Sequence, residues 1–134
     1  SAALLCLVIA IADGDTLRAH DDKRQIKIRL SEIDAPERKQ PFGTKSRESL
    51  ADLCHEKQAS VQIVATGRYR RTVGRVTCAG VDANAEQVRR GLAWVYARYV
   101  TDRSLYALQE EARASGRGLW SGPSPVPPWD WRRK

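Results

Sequence analysis

The sequence predicts an α+β fold that is mainly β: a small barrel of five short strands closed by helices. Short apolar or alternating segments recur between turn residues, as in small all-β cores. One helical segment interrupts them before the fourth strand, and further helical segments follow the fifth. With 134 residues, 42% of them hydrophobic and 29% charged, the chain has the size and composition of one globular domain.

Hydrophobic patterning predicts the first three strands. Leu4 to Ala12 is rich in Leu, Val and Ile and ends at the turn signal Asp13-Gly14. We interpret this run as a buried strand rather than a signal peptide, since no basic residue precedes it, and it is too short to span a membrane. Thr16 to His20 predicts a second strand. Gln25 to Leu30 alternates between apolar and polar residues, which predicts a half-buried third strand whose core face carries Ile26, Ile28 and Leu30.

The remaining elements alternate between helical and extended patterns. A helix is predicted from Thr44 or Lys45 to about Cys54, with Thr44 as its N-cap. Val61 to Thr66 and Thr72 to Cys78 read as the fourth and fifth strands. Two more helices are predicted over Asn84 to Arg90 and Asp102 to Ser115, because a glycine follows each.

The last part of the chain divides it into a domain, residues 1–122, and a tail, residues 123–134. Leu92 to Tyr99 is apolar and aromatic and is expected to cover the core. Beyond Gly122 the chain is rich in proline, tryptophan and arginine, which predicts an extended tail. Its tryptophans either dock on the body of the domain or remain available to a partner.

The three cysteines do not have the spacing of a metal site. Cys6, Cys54 and Cys78 lack any Cys-x-x-Cys pair. They are either small buried hydrophobic residues or, in an oxidising compartment, a Cys54–Cys78 disulfide with Cys6 left over.

The balance of charge points to a polyanionic partner. Lys and Arg number 23 against 16 acidic residues, which gives a net charge of +7, and most of the basic residues are arginine. The planar guanidinium presents donors that match phosphate, so the bias favours nucleic acid. A basic but merely solvated surface is the alternative.

Two short acidic clusters stand out from this basic background. They are Asp13-Gly14-Asp15-Thr16 and the segment from Arg29 to Glu37. Together they supply hard oxygen ligands for a cation, a spare carboxylate and a guanidinium, which suits metal-assisted attack on a phosphate. Asx turns and ordinary surface positions are the alternative roles for these residues. An EF-hand is excluded because Leu17 occupies the next ligand position.

Seen in order along the chain, these motifs resemble those of the staphylococcal nuclease family. The resemblance runs over roughly residues 8–121 and implies a five-stranded OB-type barrel with three helices. It also implies calcium-dependent, sugar-nonspecific hydrolysis of DNA and RNA, endonucleolytic and exonucleolytic, leaving 3′-phosphate and 5′-hydroxyl ends. The matching pieces are Asp13-Gly14-Asp15-Thr16, Arg29-Leu30, Ile33-Asp34-Ala35-Pro36-Glu37, Tyr69-Arg70-Arg71, Val81-Asp82-Ala83-Asn84, Val88-Arg89-Arg90-Gly91-Leu92-Ala93 and Gly118-Leu119-Trp120.

The resemblance also implies a metal site. By it, the carboxylates of Asp15 and Asp34 and the backbone carbonyl of Ala35 are calcium ligands. Asp13 and Thr16 would lie next to these ligands without binding the metal themselves.

The catalytic residues implied by the resemblance are two arginines and a glutamate. Arg29 and one later arginine would grip the phosphate, and Glu37 would position or deprotonate the attacking water. Arg71 precedes Asn84 by the spacing of the family, which favours it as the second arginine. Arg75, which follows a glycine, is the alternative.

Aromatic residues are expected to flank a nucleotide pocket. Tyr69 and Tyr99 resemble the family's aromatic residues at that place, and stacking on bases suits a nuclease without sequence preference. Arg70 stands where the family has a glycine, and it could add a phosphate contact.

These patterns lead to expectations about partners and place of action. We expect a monomer that acts on DNA and RNA, prefers single strands and does not engage a membrane. Export to an extracellular or periplasmic location is expected from the secretion habit of the family and from the calcium available outside cells. Two other functions compete: a noncatalytic OB-fold module that binds nucleic acid, and a protein-interaction domain that uses the Pro/Trp tail.

Overall fold

The computed structural model of the chain describes residues 3–67 and 71–134. Within them, the strands are β1 (Leu4–Asp13), β2 (Thr16–His20), β3 (Gln25–Leu30), β4 (Ile33–Asp34), β5 (Gln58–Thr66), β6 (Arg71–Cys78), β7 (Val81–Asp82) and β8 (Trp94–Val95). The helices are α1 (Gly43–Cys54), α2 (Ala83–Arg89), α3 (Ser104–Ala114) and α4 (Pro128–Trp131), with a one-turn 3-10 helix over Gly118–Ser121.

The described strands include five that close into a barrel, as predicted. Antiparallel pairings run in the order β3-β2-β1-β5-β6, and a parallel pairing of β3 with β6 completes the ring. β7 extends the sheet at the edge of β6. A separate ladder joins β4 to β8 and pairs Asp34 with Trp94. This ladder fixes the backbone of Asp34 against that of Trp94.

Side-chain alternation in the strands builds the core. In β3, Ile26, Ile28 and Leu30 point inward and are buried, as their spacing predicts, whereas Lys27 is exposed and Arg29 is half-buried. Burial of each large aliphatic side chain contributes about 1.5–3 kcal/mol to stability. The barrel therefore presents a polar outer face on β3, and that face carries the basic residues nearest the acidic clusters.

Helix α1 begins differently from the prediction. Thr44 was expected to be the N-cap, but the helix starts at Gly43, and Phe42 precedes it in the left-handed conformation with φ of 70°. A Cβ on Gly43 would lie 2.1 Å from the carbonyl oxygen of Glu37, so only glycine permits this close approach. The loop from Glu37 to α1 is thereby folded tightly against the start of the helix.

A disulfide joins the end of α1 to the end of β6. The Cα atoms of Cys54 and Cys78 lie 5.2 Å apart, and their sulfurs are bonded. This settles the alternative left open by the sequence. Cys6 stays a free, buried thiol, and burial raises its pKa.

The tail is not simply extended, contrary to the prediction. Pro128–Trp131 forms a turn of helix, and the ring of Trp129 stacks on Tyr96 at a centroid distance of 5.4 Å. The same ring meets Trp94 edge to face at 5.6 Å. Aromatic contacts of this kind outweigh the extended preference of a proline-rich segment. None of the helices in the described residues has the length and hydrophobicity to cross a membrane.

Candidate active site

A cleft of about 740 Å3 is lined by residues of all six strands from β1 to β6. Nine of the predicted site residues line it: Asp13, Asp15, Thr16, Arg29, Asp34, Ala35, Glu37, Arg71 and Tyr99. Tyr69 and Arg70, which were predicted to bind nucleic acid, lie outside the described residues. The fold thus brings together residues that are far apart in the sequence.

The turn between β1 and β2 positions Asp15. Its Oδ2 accepts a hydrogen bond from the Ala35 backbone N–H at 2.7 Å, and its Oδ1 accepts one from the Thr16 hydroxyl at 2.9 Å. The Asp15 backbone N–H in turn donates to Asp13 Oδ1 at 3.1 Å. Asp13 and Thr16 therefore orient Asp15, and Ala35 ties it to the second acidic segment.

Arg29 joins the two acidic segments. Its Nη1 lies 3.2 Å from Asp15 Oδ2, and its Nη2 lies 3.4 Å from Asp34 Oδ1. Nη1 also donates to the backbone carbonyls of Leu30 at 2.8 Å and Ile33 at 3.0 Å. A guanidinium with this many oxygen partners is held in one orientation.

Burial dominates the electrostatics of Asp15. Loss of hydration raises the pKa of the Asp15 carboxyl to about 7, and the nearby Asp13 adds to the rise, although Arg29 opposes it. A nearby positive charge stabilises the ionised form of a buried aspartate. Arg29 therefore compensates only part of the cost of burying the Asp15 charge.

Glu37 lies at the mouth of the cleft, where its side chain is 37% exposed. Its backbone N–H donates to the Gln40 side-chain oxygen at 3.0 Å, which fixes the loop. Its Oε1 accepts a hydrogen bond from Arg132 Nη1 at 2.6 Å. The carboxylate is thus firmly placed and within reach of water.

The two candidate second arginines lie in different surroundings. Arg71 is exposed and lines the cleft. Arg75 forms ion pairs with Glu32 at 3.6 Å, Asp82 at 2.8 Å and Asp102 at 3.1 Å. We call these four residues (Arg75, Glu32, Asp82 and Asp102) the brace cluster, because they connect β6 with the starts of α2 and α3.

The other residues that line the cleft were not among the predicted site residues, and those that bear most on its chemistry are Lys27, Tyr96 and Arg132. The alternation of β3 places Lys27 on the same face as Arg29, so the sequence held a signal for it. Tyr96 packs edge to face with Tyr99, ring centroids 5.0 Å apart. Arg132 is distant in sequence, and its tail gave no sign that it returns to the acidic residues.

The carboxylate oxygens of Asp15 and Asp34 are ligands of the kind that a hard divalent cation binds. The carboxylates of Asp15 and Asp34 both reach Arg29, and the guanidinium of Arg132 already sits as a cation between Asp34 and Glu37. Across residues 3–67 and 71–134, no three His, Cys, Asp or Glu side chains are arranged to hold a metal by themselves. Calcium also accepts backbone carbonyls and water, so a calcium site does not need three such side chains.

Comparison with known proteins agrees with this geometry. Residues 27–122 match the family model described as staphylococcal nuclease homologue. An Escherichia coli O157:H7 protein described as an uncharacterized endonuclease is 44% identical over 128 residues, which are 95% of this chain and 84% of that protein. A micrococcal nuclease of Shigella flexneri is 39% identical, with 94% of this chain and 79% of its own length aligned.

A plant relative shares the same core. A probable staphylococcal-like nuclease of Oryza sativa subsp. japonica is 34% identical over 82% of this chain and 33% of its own length. The family match covers most of the chain, and the bacterial relatives align over nearly all of it. The chain therefore belongs to the staphylococcal nuclease family and is a nuclease.

Proposed function

We propose that this nuclease is a calcium-dependent, sugar-nonspecific phosphodiesterase that cleaves DNA and RNA, within strands and from their ends. It would leave 3′-phosphate and 5′-hydroxyl ends and prefer single strands. One observation carries the proposal: two buried carboxylates, an accessible glutamate and two arginines converge on a single cleft. Such groups suit metal-assisted hydrolysis of a phosphodiester.

The metal would be held by the carboxylates of Asp15 and Asp34 and by the carbonyl oxygen of Ala35. When bound, calcium would polarise the phosphate and neutralise part of its charge. Asp34 is held in place for this role by the ladder with Trp94 and by its contact with Arg29.

Glu37 would act on the attacking water. Its carboxylate would orient the water and accept a proton as the oxygen attacks phosphorus. The bond from phosphorus to the 5′-oxygen then breaks, and that oxygen takes up a proton to become the free hydroxyl. The phosphate remains on the 3′-oxygen.

Two arginines would stabilise the transition state in different ways. The hydrogen bonds of Arg29 to Leu30 and Ile33 fix its guanidinium before the substrate arrives, so little reorganisation is needed. Arg71 is exposed at the rim, where it could approach a phosphoryl oxygen directly.

The surface beside the cleft supports a polyanionic substrate. Arg18 lies opposite Lys27 across β2 and β3, and Lys27 lies opposite Arg71 across β3 and β6. Like charges placed side by side destabilise a sheet, and a bound phosphate backbone would relieve this cost. Tyr99 is 55% exposed and could stack on a base of any identity.

We further propose that the protein is exported and acts as a monomer. The Cys54–Cys78 disulfide supports an oxidising compartment such as the periplasm or the extracellular space. Titration of thiols in freshly isolated native protein tests this. One reactive thiol after denaturation agrees with export, whereas three would contradict it.

Cleavage of heat-denatured DNA and of RNA in calcium, magnesium or chelator tests the central proposal. We expect cleavage in calcium, and a loss of about 100-fold or more in Glu37→Gln, which corresponds to ~3 kcal/mol of activation free energy. Glu110→Gln on the exposed face of α3 is the matched control and should cleave normally. Resistance of the products to a 3′-phosphatase, or equal activity of Glu37→Gln, would contradict the proposal.

The alternative is a noncatalytic module that binds nucleic acid. The basic row of Arg18, Lys27 and Arg71 serves binding and cleavage equally well. Salt-sensitive binding to DNA without cleavage in any metal would favour this alternative.

A further inference from the structure

The tail returns to the active site through Arg132. Its Nη2 lies 2.8 Å from Asp34 Oδ2, its Nη1 lies 3.2 Å from Asp34 Oδ1, and the same Nη1 lies 2.6 Å from Glu37 Oε1. The guanidinium therefore grips both oxygens of Asp34 and bridges to Glu37. Bidentate contacts of this kind are among the stronger polar interactions in proteins.

This contact uses the oxygens that a metal would need. The Asp34 side chain is only 1% exposed, and its Oδ1 is already shared with Arg29. With Arg132 in place, both carboxylate oxygens have guanidinium partners. A divalent ion at Asp34 and the guanidinium of Arg132 would be two cations competing for the same lone pairs.

Arg132 is held there by contacts in the segment just before it, residues 126–131, which we call the C-terminal arm. Trp129 stacks on Tyr96, and the Val126 carbonyl accepts a hydrogen bond from the Gln40 side-chain amide at 2.6 Å. The Gln40 side-chain oxygen meanwhile receives the backbone N–H of Glu37. Gln40 thus connects the arm directly to the loop that carries Glu37.

We propose that Arg132 is a built-in cation that competes with the divalent metal for Asp34 and restrains Glu37 until the metal binds. This inference rests on the proposed metal-dependent function. The arm keeps Arg132 at a high local concentration beside Asp34, since Trp129 and Val126 anchor it to the body of the domain. Metal binding then requires the guanidinium to leave Asp34, which lowers the apparent metal affinity.

Calcium binding measured by isothermal titration, without nucleic acid, tests the competition. Arg132→Gln should bind calcium about 10-fold more tightly than the wild-type protein. Arg133→Gln is the matched control: it removes the same charge one residue further on, and its backbone N–H donates to the Asp130 carbonyl. Its affinity should stay within about 2-fold of wild type, which separates the contact from the general effect of net charge.

A second variant tests the role of the arm. Trp129→Ala keeps Arg132 but removes its anchor, so its calcium affinity should lie between those of the wild-type protein and Arg132→Gln. Thermal unfolding of each variant checks that the domain is folded. Calcium affinity in folded Arg132→Gln that is equal to or weaker than that of Arg133→Gln would overturn the inference.

The outcome also separates this inference from the proposed function. Calcium-dependent cleavage with unchanged calcium affinity in Arg132→Gln would remove the inference and leave the proposed function standing. Absence of calcium binding in every variant, together with cleavage that ignores chelator, would overturn both.

Discussion

The acidic residues beside Arg29 and those of the brace cluster beside Arg75 surround arginines on adjacent strands, yet their charges are stabilised differently. In the brace cluster the acids also accept backbone hydrogen bonds: Glu32 from Thr101 and Asp102, and Asp82 from Ala85 at the start of α2. Burial acts to raise the pKa of Glu32, but the hydrogen bonds from Asp102 and Thr101, together with Arg75, outweigh it. The pKa of Glu32 is therefore lowered. Each charge in the brace cluster is satisfied within the protein.

For Asp15 in the cleft, burial outweighs the groups that stabilise the charged form. Burial raises the pKa of Asp15 to about 7, and the Ala35 N–H and Arg29 offset this only in part. Asp34 depends on two guanidinium groups, one of them from the distant tail. The acids of the brace cluster therefore stabilise the fold, whereas the incompletely compensated charge of Asp15 marks the cleft as the functional site.

The largest expected effect is the loss of cleavage in the variant Arg71→Ala. Arg71→Ala should lower cleavage by about 100-fold, or ~3 kcal/mol, because a guanidinium at the rim of the cleft is lost. Its unfolding free energy should change by less than about 0.5 kcal/mol, since the side chain is exposed. Cleavage kinetics and urea denaturation measure the two. Arg103→Ala is the control, since Arg103 is exposed and its guanidinium lies over the ring of Tyr106. A large stability loss in Arg71→Ala would contradict the comparison.

The reverse pattern is expected for the brace cluster. Arg75→Ala leaves three carboxylates without their shared cation, so it should cost about 2 kcal/mol of unfolding free energy. Cleavage per folded molecule, measured well below the melting temperature, should stay within about 3-fold of wild type. If Arg75→Ala instead abolished cleavage in a stable protein, Arg75 rather than Arg71 would be the second catalytic arginine.

A smaller effect is expected for Glu86, whose charge is stabilised by neighbouring arginines and makes the stability of the protein depend on pH. Hydrogen bonds from Arg89 lead the effects that lower the pKa of Glu86 from 4.5 to about 2, with Arg90 adding to them. Because its folded pKa is depressed, Glu86 stabilises the protein above pH 4.5, and this contribution is lost as the pH falls toward 2. Glu86→Gln should therefore cost about 1 kcal/mol at neutral pH.

The same variant makes the sign of the effect measurable. The stability difference between wild type and Glu86→Gln should shrink as the pH falls from about 5 to about 2. Urea denaturation at a series of pH values follows it. A difference that grew on acidification would mean that Glu86 is not held as an ion by its arginines.

Local patterns predicted much of the architecture. The alternation in Gln25–Leu30 identified a strand and its buried face, because side chains on a strand alternate strictly between its two sides. The first part of β5, Gln58 to Ser60, was missed, since its small and polar residues carry little strand signal. It is a strand because it pairs with Leu5 to Leu7 of β1.

Errors arose where long-range contacts override local preference. Thr44 had the chemistry of an N-cap, but the close approach of Glu37 to Gly43 moved the start of the helix. The proline-rich tail had an extended pattern, but stacking of Trp129 on Tyr96 allowed a helical turn at its end. Neither contact can be predicted from the spacing of nearby residues.

The sequence by itself determined the barrel, the family and most of the acidic and basic residues at the cleft, because each depends on local motifs and periodicities in the chain. Only the tertiary structure decided which acidic residues each arginine contacts. Arg75 pairs with acids from β7 and from the segments before β4 and α3, and Arg132 reaches Asp34 from 98 positions away. The charge of an arginine is evident from sequence, but its partners depend on which distant segments the fold brings beside it.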